Sequence, residues 1–88
     1  MAQEPIEKLN RAEALILQGA QQLKQAALDF GMQFAQTLRQ DIQILMRQLQ
    51  ESLIQGDKAC IKQYCVDLQS KLNELNQQMR QYSTFKYD

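Results

Sequence analysis

Few side chains in this chain could do chemistry. Cys60 and Cys65 are the two cysteines, and histidine is absent. Without histidine the commonest general base and the commonest metal ligand are both missing. Two thiols alone make no zinc site. On one helix, residues five apart sit about 140° apart around the axis, so these thiols do not pair with each other. Two unpaired thiols fit a reducing compartment such as the cytoplasm. Cys60 could act as a redox switch if exposed. The carboxylates form no catalytic pair. Glu4 and Glu7 favour the dipole at a helix start, while Glu7–Arg11 and Asp67–Lys71 are i,i+4 pairs that support a helix surface. There is no glycine-rich phosphate loop and no nucleophile elbow. The expectation is a non-enzyme that holds no metal and no cofactor.

Ten basic and ten acidic residues balance to zero net charge. That gives no electrostatic drive toward nucleic acid or anionic lipid. The longest apolar run, Ala14-Leu15-Ile16-Leu17, is far short of the ~20 residues a membrane span needs. The opening MAQEPIE lacks the basic-then-apolar pattern of a secretion signal. The 88 residues allow one small domain.

Helix formers dominate, and glycine and proline divide them into three stretches. Residues 6–29 place Leu9, Ala12, Ile16, Ala20, Leu23 and Ala27 on one helical stripe leading to Phe30, widened by Leu15 and Leu28. Gly19, inside that stretch, predicts close approach of a neighbouring helix. Residues 32–55 carry a second stripe through Phe34, Leu38, Ile42, Leu45, Leu49 and Leu53. Ile44, Met46 and Ile54 beside it suggest burial on more than one side. Gly56 suits the left-handed residue after a helix, and Asp57 suits the N-cap of the next. Ile61, Cys65, Leu68, Leu72, Leu75, Met79 and Tyr82 then form a heptad seam.

Each helix should be about 22 to 25 residues, or about 33–38 Å. Short loops near Gly31 and Gly56 force neighbouring helices antiparallel. The predicted fold is all-α: an antiparallel up-down-up three-helix bundle over residues 6–82. Residues 1–5 are a lead-in and residues 83–88 a flexible, patternless tail. The 17 glutamines spread over all three helices read as a neutral polar surface.

Two segments resemble a known family. One is NRAEALILQ at residues 10–18 with QQLK at 21–24. The other is LQESLIQGDKACI at 49–61 with LQSKL at 68–72. In order and spacing they resemble the C-terminal helical lid of DnaK-type chaperones, the seventy-kilodalton heat-shock proteins. There a helix reading N-x-A-D/E-x-L-I precedes a helical pair joined by a G-D-K-like turn, here Gly56, Asp57, Lys58 and, three residues on, Ile61. The section from Leu23 to Phe30 and Gly31 is most similar to cyanobacterial or chloroplast-type members.

The resemblance implies a non-catalytic lid that covers a peptide-binding β-sandwich domain of the same parent chain and slows release of unfolded client protein in the stress response. ATP would bind a third domain, not this chain. The chain would then be an excised lid or a small free-standing relative. Glu13 matches the acidic residue that helps latch the lid. The bacterial pattern has a basic residue at the position of Leu9 and often a polar one at that of Leu17. An apolar contact would therefore replace part of the latch, with Leu9, Glu13 and Leu17 as lid-contact residues. With the sandwich absent, this helix should mediate homodimerisation. The alternative is a small helical interaction adaptor that oligomerises through its heptad seam.

Overall fold

A computed structural model describes the backbone of residues 3–87 and the side chains of residues 10–83. Three helices follow one another: α1 (Gln3–Phe30), α2 (Gln36–Gln55) and α3 (Lys58–Tyr87). They pack as an antiparallel three-helix bundle measuring 53 × 21 × 17 Å. No strand occurs among the described residues. The lengths, 28, 20 and 30 residues, are less even than the sequence pattern suggests. The apolar pattern stops at Tyr82, yet α3 runs on to Tyr87.

The turn between α2 and α3 follows directly from its residues. Gly56 takes the left-handed conformation (φ 72°, ψ 26°) that glycine adopts without a Cβ clash. Its N–H and that of Asp57 both donate to the Ser52 carbonyl, at 2.9 and 3.1 Å, closing the end of α2. The Asp57 carboxylate accepts from the Cys60 N–H at 3.2 Å and so caps α3.

The α3 seam is buried or half-buried from Ile61 to Met79, whereas Tyr82, which the heptads also place on it, is 47% exposed. Leu68, Leu72 and Leu75 are at most 1% exposed, Ile61 is buried, and Cys65 and Met79 pack alongside half-buried. From α2, Leu38, Ile42 and Leu49 meet it. Within the bundle this seam is filled by residues of the same chain. Of the three residues beside the α2 stripe, Ile44 and Ile54 are exposed, whereas Met46 is half-buried and gives α2 a second contact, with α1.

The first helix is rotated relative to its expected stripe. The residues it buries are Ala12, Leu15, Gly19 and Ala26, whereas Ile16, Leu23, Ala27 and Phe30 are only half-buried and Ala20 and Leu28 are exposed. The inward line is thus made largely of small residues. Gly19 faces Met46 of α2: a Cβ added there would lie 3.0 Å from the Met46 sulfur. Gln22, on the same line, is satisfied by donating its side-chain amide to the Leu72 carbonyl at 2.8 Å.

The turn between α1 and α2 differs most from expectation. Residues 32–35 do not join α2, which begins at Gln36. Gly31 has φ 93°, and Ala35 is left-handed at φ 48°. Arg39 reaches back and donates to the carbonyls of Gly31 (3.1 Å), Met32 (2.9 Å) and Phe34 (2.9 Å). Phe30, Phe34 and Tyr82 form a ring cluster, with centroids 4.7 to 5.2 Å apart, that ties this turn to α3.

Three stability experiments check this packing. Gly19→Leu overpacks the contact with Met46 and should cost about 1–3 kcal/mol in denaturant unfolding. Met46→Ala in the same chain should restore part of that loss. Leu72→Lys should unfold the bundle, seen as lost helicity, instead of merely dissociating an oligomer. Finally, the Cys60 thiol and N–H, as hydrogen-bond donors, hold the Asp57 carboxyl below its usual value of 3.8. This stabilisation is present above that value and lost as pH falls through the lowered one. An acid titration of Asp57→Asn should therefore lack that component of the loss.

Candidate interaction face

The inward line of α1 determines what faces outward. At 100° per residue, Leu17 lies opposite the line through Ala12, Leu15, Gly19 and Ala26. It is 65% exposed. Glu13 sits one turn before it on the same side and is exposed as well. Lys24 and the exposed Leu28 continue this face toward the far end of the helix. The structure thus brings Glu13 and Leu17 together. The side chain of Leu9 lies outside the described residues; its backbone belongs to α1, one turn before Glu13.

This face has the chemistry of a docking surface. An exposed carboxylate beside an exposed leucine offers a hydrogen-bond acceptor next to an apolar contact. The Gly19–Met46 contact and the Gln22–Leu72 hydrogen bond hold α1 from the opposite side.

The two thiols lack the environment of reactive cysteines. Cys60 donates its thiol hydrogen bond to Asp57, and the neighbouring carboxylate charge adds to this in pushing the thiol pKa up. Burial pushes the Cys65 thiol up, opposed by the nearby charge of Arg11. Both shifts reduce the thiolate fraction and with it nucleophilicity, so nothing here favours a redox switch.

Among the described residues, no group of three or more cysteine, aspartate and glutamate side chains is placed to hold a metal ion. Nor is any helix among them long and apolar enough to cross a membrane. A groove of about 330 Å³ between α2 and α3 is lined by Asp41, Ile44, Leu45, Asp67, Ser70 and Lys71. It is open to solvent and encloses no ligand-sized cavity.

Sequence reasoning missed Arg39. Its type and position, one turn into a helix, resemble any solvated surface arginine, and only the fold brings three carbonyls to it.

No family profile matches the chain, and no solved structure matches it. Curated relatives do. The chain is 53% identical over 79 residues to the chaperone protein DnaK of Trichormus variabilis, which is 90% of this chain and 12% of the relative. The chaperone protein dnaK1 of a Nostoc species matches at the same level. The chaperone protein dnaK3 of Synechococcus elongatus is 38% identical over 73 residues, 83% of this chain and 10% of that protein. The chain therefore spans only about an eighth of the length of these relatives. Over nine-tenths of its length, this three-helix chain is homologous to a short segment of the DnaK chaperones of cyanobacteria.

Proposed function

We propose that this chain is the helical lid of a DnaK-type chaperone. In that role it is not an enzyme. It covers the peptide-binding β-sandwich domain of its parent protein and slows the departure of unfolded client. ATP binds a separate domain of the parent, and this chain needs no cofactor of its own. The two free thiols and the absence of any segment fit to cross a membrane among the described residues agree with work in the cytoplasm.

One observation carries this reading. The helix that holds the family-like NRAEALILQ run turns Glu13 and Leu17 outward, away from the bundle that supports it. Glu13 would accept hydrogen bonds from loops of the sandwich. Leu17, with Leu9 a further two turns toward the N-terminus, would supply apolar contact where bacterial relatives of the pattern place polar groups. The adaptor reading has less support, because the heptad seam it requires is occupied within the chain.

The test is a graft. These 88 residues replace the lid of an intact DnaK-type chaperone, and release of a fluorescent client peptide is timed in the ADP state. Release should be slower than from the lidless protein. Leu17→Ala should speed it about tenfold, the effect of losing a ~1.4 kcal/mol contact, and Glu13→Ala should speed it in the same direction. Helicity should be unchanged in both. Release no slower than from the lidless protein would sink the proposal.

A further inference from the structure

The turn between α1 and α2 is held against the preference of its own residues. Met32, Gln33, Phe34 and Ala35 include no proline and no β-branched residue, and Met, Gln and Ala are strong helix formers. Left to local propensity they would continue a helix. Instead the chain reverses, with Ala35 at φ 48°, a conformation unfavourable for an L-residue with a Cβ. What holds the reversal lies outside residues 31–35. It is the Arg39 guanidinium on three carbonyls and the packing of Phe30 and Tyr82 around Phe34.

The helix on the near side of this turn is also the more weakly attached. The α2–α3 contact is the most extensive in the bundle, and α1 contacts each of the others less. Its inward line of Ala12, Leu15, Gly19 and Ala26, flanked by the half-buried Ile16 and Leu23, buries fewer large side chains completely than α2 and α3 do.

We propose that residues 30–36 are a hinge with a second, helical state, in which α1 leaves its own bundle and packs on α2 and α3 of a second copy. The partner is the same chain, and the occupant of the vacated seam is the partner's α1. In this state α1 and α2 form one continuous helix of about 80 Å. Two such helices lie antiparallel, with a two-fold axis near Gln33, so the exchange closes as a symmetric dimer. Every inward contact of α1 is remade between copies, including that of Gly19 with Met46 and the hydrogen bond from Gln22 to Leu72. The left-handed strain at Ala35 is relieved in both chains. The loss of the Arg39 clamp and the entropy of association oppose the exchange. This dimer uses the inner face of α1. It leaves Glu13 and Leu17 free, and it does not depend on the chaperone reading.

The experiment combines hinge variants with a thiol pair. In a chain carrying Cys60→Ser and Cys65→Ala, Gly19→Cys and Met46→Cys place one thiol on each side of the α1–α2 contact. Sedimentation measures the dimer, and oxidation followed by non-reducing electrophoresis shows whether the pair closes within or between chains. Gly31→Ala disfavours the turn and favours the helix, so it should raise the dimer fraction and give covalently linked dimers. Adding Ala35→Gly should raise the dimer dissociation constant about a hundredfold, tenfold for each hinge. Arg39→Ala should promote dimer as Gly31→Ala does, and it carries the same comparison if Gly31→Ala lowers helicity. If the Gly31→Ala chain and the Arg39→Ala chain, each without Ala35→Gly, both remain monomeric at every concentration, the proposal is overturned. A dimer whose thiol pair closes within chains overturns it as well, because that dimer forms through the outer face of α1.

Discussion

The approach of α1 to α2 at Gly19 and Met46 sets the rest of the surface. A helix has one rotation about its axis, and packing selects it. With Gly19 turned inward, its missing Cβ admits the Met46 side chain, and Ala12 and Ala26 fall on the same line one heptad to either side. Leu17 is then forced outward, whatever its hydrophobicity would prefer. An exposed leucine at the middle of a helix is ordinary by itself. Beside Glu13, on a helix whose opposite side packs into the bundle, it becomes a surface that a partner could use. The glycine weakens the helix by about 1 kcal/mol relative to alanine, and the close approach is what that local weakness makes room for.

The parts of this fold legible in the sequence are those fixed by local stereochemistry or by an unambiguous period. Gly56 and Asp57 end one helix and begin the next because one tolerates positive φ and the other supplies a capping oxygen. From Ile61 to Met79 the α3 heptads bury as read because charged and amide residues fill the remaining positions. On α1 the same reasoning misplaced the stripe. Leu15, Ile16 and Leu17 are consecutive, so apolar side chains point in three directions and periodicity cannot choose between them. The correct line contains Gly19 and Gln22, which a hydrophobicity criterion rejects. Small size decides the first, and a hydrogen bond to another helix decides the second. The candidate pair Glu13 and Leu17 rested on a resemblance and not on the stripe, and both side chains are exposed.

The place of the first turn was legible from Gly31, but its extent was not, for a related reason. Nothing in residues 32–35 signals a break except Gly31 before them. The reversal is made by Arg39, which reaches back five to eight residues, and by rings from three separate elements, of which the Tyr82 contacts exist only once the bundle has formed. A turn that depends on tertiary contacts opens when those contacts are lost. A turn such as Gly56–Asp57, built from its own residues, does not. The two loops of this small bundle are therefore mechanically unlike, although each is only a few residues long.

This inequality bears on what the molecule is suited to do. The α2–α3 hairpin has a self-sufficient turn and the larger share of the buried leucines, so it serves as the anchor. The first helix is long, thinly attached, and carries an outward face with a carboxylate beside an apolar patch. The surface glutamines add hydrogen-bonding capacity without long-range charge, so approach to another surface is neither steered nor repelled. Contact with a partner along α1 would then be decided at short range, by the fit of Leu17 and the few polar groups around it. A helix held by a light seam can adjust to that fit while the hairpin behind it stays intact. Such a division between a leucine-rich hairpin and a more lightly packed first helix suits contact with another surface along α1.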